Sequence, residues 1–147
     1  MKVDELMIGN YVSLDEMTFN DILESLDLDE NDIIPDRNRL IITQISEDGI
    51  IGVKIFDDEE VVIKDLDPIP STDQWLLDFD FKRAKEEKDW FSIKTEIPFI
   101  NLEISMEEKR CILFNRKKIV YTDIFFPKYV HNVQNLYFAL TCKKLTR

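Results

Sequence analysis

Nucleophilic, acid–base and soft-metal chemistry in this chain rests on three side chains, because His131 is the only histidine and Cys111 and Cys142 are the only cysteines. His131 is the one group that titrates near neutrality, so proton transfer would centre on it. It stands, however, inside residues 129–142, YVHNVQNLYFALTC, fourteen positions without a single Asp, Glu, Lys or Arg in a chain that is 33% charged. A histidine in such a run reads as a helix cap or a buried hydrogen-bonding group rather than a base. Each cysteine lies within or beside an apolar run, where a thiol is ordinarily inert. Their spacing matches no zinc motif and one histidine is too few to complete a site. Two buried free thiols in a reducing cytoplasm are favoured over a disulfide. The chain also lacks a Gly-rich phosphate loop, a nucleophile elbow and a paired-histidine helix. The expectation is therefore a protein that is not an enzyme, with no catalytic residue, no cofactor and no metal.

Two charged sets remain as binding candidates. Asp27, Asp29 and Asp32 lie close enough in sequence to suggest Ca²⁺. The central glycine and ordered ligand spacing of a calcium loop are missing, so a solvated acidic loop is the better reading. The second set is basic: Arg110, Arg116, Lys117, Lys118 and Lys128, interleaved with Phe114, Tyr121, Phe125, Phe126 and Tyr129. Cations beside aromatics on a sheet can hold phosphates and stack bases, which makes these five the candidate nucleic-acid-binding residues. Against this, aromatics at alternating strand positions usually fill a core.

Charge is divided unevenly along the chain. Residues 1–80 carry 22 Asp and Glu against 5 Lys and Arg, and residues 81–147 carry 8 against 14, within a net charge of −11. Acidic chains repel nucleic acid at long range, so general nucleic-acid binding is disfavoured, while oriented docking or head-to-tail self-association is favoured. No apolar run approaches the roughly 18 residues of a membrane span, and the first ten residues do not form a signal peptide. A cytoplasmic protein without membrane contact is expected.

The elements that must position these residues are legible from periodicity. Residues 7–14 read as a first strand in which Gly9 and Asn10 allow a bend. Residues 15–39 form an acidic insertion with a short helix near 20–26, capped by Thr18 or Asn20. Residues 40–45 and 50–56 are β-branched runs around Asp48-Gly49, a hairpin signal. A second acidic turn at 57–60 precedes a strand at 61–66. Four short strands on tight turns suggest an SH3-like small barrel, or an open meander. Pro68 and Pro70 hold the next stretch extended until Ser71 or Thr72 caps a helix that shows Trp75, Leu76 and Phe79 to a core. Residues 82–89 are a charge run, read as helix tail and loop. Residues 90–94, 98–104, 111–114 and 119–125 are strands of an antiparallel meander. The uncharged run closes the chain as a helix, with Val130, Val133, Leu136, Tyr137 and Leu140 as its apolar stripe, a polar side opposite, and His131 or Asn132 at its cap. Trp75 and Tyr137 are assigned structural roles. The fold expected is α+β: an acidic barrel-like β unit over residues 1–70 with the insertion at 15–39, then an α+β unit over residues 71–147 whose antiparallel sheet is packed by the C-terminal helix.

Three blocks, ELMIGNYV, DPIPSTDQWLLDFDF and YVHNVQNLYFALT, occur here in an order that resembles a group of small uncharacterised proteins of Bacteroidetes genomes, their phages and other mobile elements. Residues 15–39 and 90–128 lie outside those blocks. The resemblance implies a phage or mobile-element setting and brings no established activity or binding residues. It also implies glycine at the positions of Asp80 and Cys142, the usual residue just past a helix. The functional expectation is a non-enzymatic protein-interaction module with a protein partner and scope for self-association; the alternative is a nucleic-acid-binding protein that uses the basic aromatic half.

Overall fold

A computed structural model describes residues 6–26, 36–37, 39–46, 51–56, 59–63, 66–84 and 89–146. The chain divides into two compact units, Met1–Ile69 and Pro70–Arg147. It is α+β, with an antiparallel sheet in each unit and a helix near the C-terminus.

The first unit holds β1 (Tyr11–Val12), α1 (Glu16–Ser25), β2 (Leu40–Ile45), β3 (Ile51–Phe56) and β4 (Glu59–Ile63) in a sheet ordered β1-β2-β3-β4. The expected first strand is shorter than residues 7–14. Gly9 takes φ 94°, a left-handed value suited to glycine, and Asn10 closes the turn by accepting the Met7 N–H at 2.7 Å. Helix α1 begins earlier than expected, because Asp15 caps it: its Oδ1 accepts from the Met17 and Thr18 backbone N–H groups at 3.1 and 3.0 Å. Bonding to Thr18 and Met17 holds the Asp15 carboxyl below its usual range. Strand β4 starts at Glu59, so Glu59 and Glu60 are strand residues rather than turn residues. Leu6, Val12, Leu14, Phe19, Leu40, Ile42, Ile51, Val53 and Leu66 form one buried cluster. Asp48, Gly49 and residues 27–35, including Asp27, Asp29 and Asp32, lie outside the described residues.

The second unit holds α2 (Asp73–Asp78), β5 (Lys82–Arg83), β6 (Trp90–Lys94), β7 (Ile100–Ser105), β8 (Arg110–Asn115), β9 (Val120–Ile124) and α3 (Val130–Thr141). Its sheet is a meander, β5-β6-β7-β8-β9. Part of the charge run is thus a strand: Lys82 and Arg83 pair with Ser92 and Phe91. Thr72 caps α2 through a bond from the Trp75 N–H to its hydroxyl. The helix stops because Asp80 turns left-handed at φ 64°, which lets the Phe81 N–H reach the Leu76 carbonyl at 3.0 Å. Leu76 and Phe81 are both buried, the apolar pair that accompanies this type of helix stop.

Helix α3 corrects the expected cap. A bridge between Pro70 and Tyr129 keeps the chain extended through Tyr129, so Tyr129 occupies the cap position, without a side-chain bond, and His131 and Asn132 fall inside the first turn. The polar side of the helix is not a solvent face. His131 is fully buried and stacks on Tyr129 with ring centroids 5.7 Å apart. Gln134 is buried and donates to the Leu145 carbonyl at 3.0 Å, tying the chain beyond the helix to its flank. Of the expected stripe, Val130 and Val133 are buried while Leu136, Tyr137 and Leu140 are half-buried. Among the described residues, no helix is long and apolar enough to cross a membrane.

Cys142 ends α3 at φ 56° and donates its N–H to the Phe138 carbonyl. A side chain with a Cβ is strained there by about 1 kcal/mol. Replacing Cys142 with Gly is therefore expected to stabilise the fold by about 1 kcal/mol, read as a higher urea midpoint with an unchanged slope.

Candidate functional site

Strand alternation gives the five-stranded sheet two unlike faces. Register aligns Phe91 with Ile104 and Cys111, and Ile93 with Leu102 and Leu113, so one face is apolar. Phe91, Leu102, Ile104 and Cys111 are almost completely buried. The other face carries Trp90, Ser105 and Arg110 in one row, Ser92, Glu103, Ile112 and Asp123 in the next, and Asn101, Phe114 and Tyr121 in a third. A cavity of about 780 Å³ opens on it, with Trp90, Glu103, Arg110, Phe114, Arg116 and Tyr121 among its lining residues.

Arg110 organises this face. Its guanidinium donates to Asp123 Oδ1 at 2.8 and 3.2 Å and reaches Glu108 at 3.5 Å. It also lies 5.8 Å from the ring centroids of both Trp90 and Tyr121, within cation–π range. Asp123 first, then Glu108, raises its already high pKa, so it stays a fixed cation. Beside it is an acidic corner, where Asp89 raises the Glu107 pKa through a shared hydrogen bond. Farther along the face, Asn101 Nδ2 donates to Ser92 Oγ at 3.0 Å, and Ser92 donates to Glu103 Oε1 at 3.1 Å. That relay orients a carboxylate toward a concavity walled by aromatics.

The five basic candidates do not form one site. Arg110 and Arg116 both line the concavity. Lys117 and Lys118 are exposed on the β8–β9 turn, where their N–H groups bond to Asn115 Oδ1, and Lys117 Nζ lies 5.4 Å from the Phe99 ring centroid. Lys128 belongs to the segment before α3; its side chain is exposed and its carbonyl accepts the Ser71 N–H. Of the interleaved aromatics, Phe114 and Tyr121 line the concavity and Phe125 is exposed. Sequence reasoning missed Trp90, Ser92 and Glu103. The signal was present in INLEIS, where Asn101, Glu103 and Ser105 alternate with Ile100, Leu102 and Ile104 and mark a strand with two distinct faces.

Neither cysteine lies on this face of the sheet. Cys111 is on the apolar face and burial pushes its thiol up to about 12, whereas Cys142, contrary to the expectation of two buried thiols, is exposed because it caps the end of α3. Among the described residues, no three His, Cys, Asp or Glu side chains converge to hold a metal ion. Comparison of the chain with protein-family models, with curated proteins and with solved structures finds no match.

The two thiols should differ sharply. With a disulfide-exchange reagent at pH 8, the folded protein is expected to release about one equivalent from Cys142, and the second only after unfolding. A raised folded-state pKa leaves the Cys111 contribution to stability intact below its ordinary value of 9.0 and removes it as pH rises toward 12. Alkaline titration followed by circular dichroism checks the sign.

Proposed function

We propose that this protein is a non-enzymatic interaction module that engages a protein partner through the concave face of its five-stranded sheet. The observation that carries the reading is the aromatic concavity of about 780 Å³ formed around Trp90, Phe114 and Tyr121. Aromatic anchors on a preformed concave surface are the feature from which protein interfaces draw most of their binding energy. The mixed charge of the lining favours a polypeptide over a phosphate backbone. Arg110 is engaged by Asp123 and Glu108, and Arg116 shares the concavity with Glu103. A polyanion would meet those carboxylates as well as the arginines. The non-enzymatic reading is supported by the burial of His131 and by the place of Cys111 on the opposite, apolar face of the sheet.

The first unit is read as an SH3-like small barrel. What supports it is the pair of backbone bonds between Ser13 and Asp67, which returns the chain beyond β4 to the end of β1. The setting is the phage or mobile-element cytoplasm that the sequence resemblance implies. A second reading, nucleic-acid binding, is favoured by the exposed cations Arg116, Lys117 and Lys118 on one turn beside Phe99.

Immobilised protein, treated with nuclease, is expected to retain a discrete protein partner. Phe114→Ala and Arg116→Ala, each checked for folding, should weaken that capture about tenfold, the loss of roughly 1.4 kcal/mol. Equal capture by both variants, or capture abolished by nuclease, overturns the reading. Fluorescence anisotropy with a labelled single strand at low salt should be flat; a saturable isotherm lost on Lys117→Glu/Lys118→Glu would put the second reading first.

A further inference from the structure

The sheet edges are treated unequally. In the five-stranded sheet, β5 is two residues long and both are exposed cations, Lys82 and Arg83, which suits an edge protected against further pairing. In the four-stranded sheet, β1 is also two residues long, and β4 opens with Glu59 and Glu60. Strand β9 is different. It runs five residues, contains no Lys, Arg or Pro, and pairs with β8 alone among the described strands. Apolar side chains on it and at its two ends are exposed, Ile119 by 81%, Val120 by 53%, Tyr121 by 58% and Phe125 by 72%, while Ile124 is half-buried. Ile119 holds φ 53°, a costly conformation for a β-branched residue that gains no burial there.

The sequence of this edge is self-complementary. A two-fold axis through Thr122 would set Val120 opposite Ile124 on one side of the sheet. On the other side, Tyr121 would face Asp123, and Ile119 would approach Phe125 at the flanks. Apolar residues meet apolar residues at both outer positions, and no two like charges stand opposite within Val120–Ile124. The only charge at the seam, Asp123, already has Arg110 as its partner. Such a palindromic pattern is what an isologous contact requires, since the same patch must serve both subunits.

We infer that β9 is a homodimerisation edge, where a second copy of the chain pairs antiparallel about Thr122 and joins two five-stranded sheets into one of ten strands. This does not depend on the reading of the concave face. A contact confined to one strand and its flanks is at the small end of stable interfaces, so the dimer is weak and concentration-dependent. Because each chain carries a net charge of −11, salt strengthens it by screening repulsion.

Sedimentation velocity on the full chain, up to concentrations on the order of hundreds of micromolar, tests this. The expected result is a monomer–dimer equilibrium that shifts toward dimer with salt. Ile119→Lys/Phe125→Lys alters only exposed side chains and should weaken the dimer at least about tenfold while leaving the monomer's far-ultraviolet dichroism unchanged. Ile119→Gly separates a structural role from an interface role, because relief of the left-handed strain raises the monomer's thermal midpoint while the dimer weakens. In a Cys142→Ser background, Thr122→Cys should form a symmetric disulfide with oxidised glutathione, since antiparallel partners lie about 4.5–5.5 Å apart at Cα. A monomer at every concentration, open-ended assembly, or a dimer indifferent to the Ile119/Phe125 pair would overturn the inference.

Discussion

Strand alternation governs the second unit. Once Phe91, Leu102, Ile104 and Cys111 are committed to one dry face, their neighbours in sequence are forced to the other. A one-residue slip would place Glu103 among buried aliphatics and Ile104 in the concavity, so the register is strongly specified. Everything on the concave face follows from that commitment. Trp90, Glu103, Arg110, Phe114 and Tyr121 are brought together because cross-strand register places them all on the face opposite that buried set, in a meander with short turns. Burial of polar groups outside the sheet obeys the same economy: Gln134 enters the interior with the Leu145 carbonyl as its partner.

The two units solve different electrostatic problems. Met1–Ile69 carries 19 Asp and Glu against 5 Lys and Arg, and Pro70–Arg147 carries 11 against 14. In the first, acidic residues act where geometry makes them useful, as Asp15 does at the start of α1. In the second, acids and bases meet on one surface, where Asp123 and Glu108 hold a guanidinium between two aromatic rings. Exposed ion pairs of this kind contribute little to stability, so their role is to fix the shape and charge of the face.

Much of the architecture was legible in the sequence, and the reasons are specific. The two β-branched runs around Asp48-Gly49 announce β2 and β3, and Thr72 announces α2. Asp80 and Cys142 both sit at left-handed φ beyond a helix. Other features depended on tertiary pairing. Lys82 and Arg83 have no strand propensity to speak of and become β5 because β6 offers them an edge. The Pro70–Tyr129 bridge, formed between residues far apart in sequence, moved the cap of α3 away from His131. The candidate face was half legible. Its cations and two aromatics were evident by type, but Trp90, Ser92 and Glu103 join them only through cross-strand register, which no single segment contains.

Both tryptophans, Trp75 and Trp90, are buried within the second unit, while the first unit has none. Intrinsic indole emission is therefore a built-in reporter of one half of the molecule and silent about the other. Denaturation curves from that emission and from far-ultraviolet dichroism, which sums both halves, will coincide only if the two units melt together. The placement of two side chains thus makes the cooperativity of the whole chain measurable without any label.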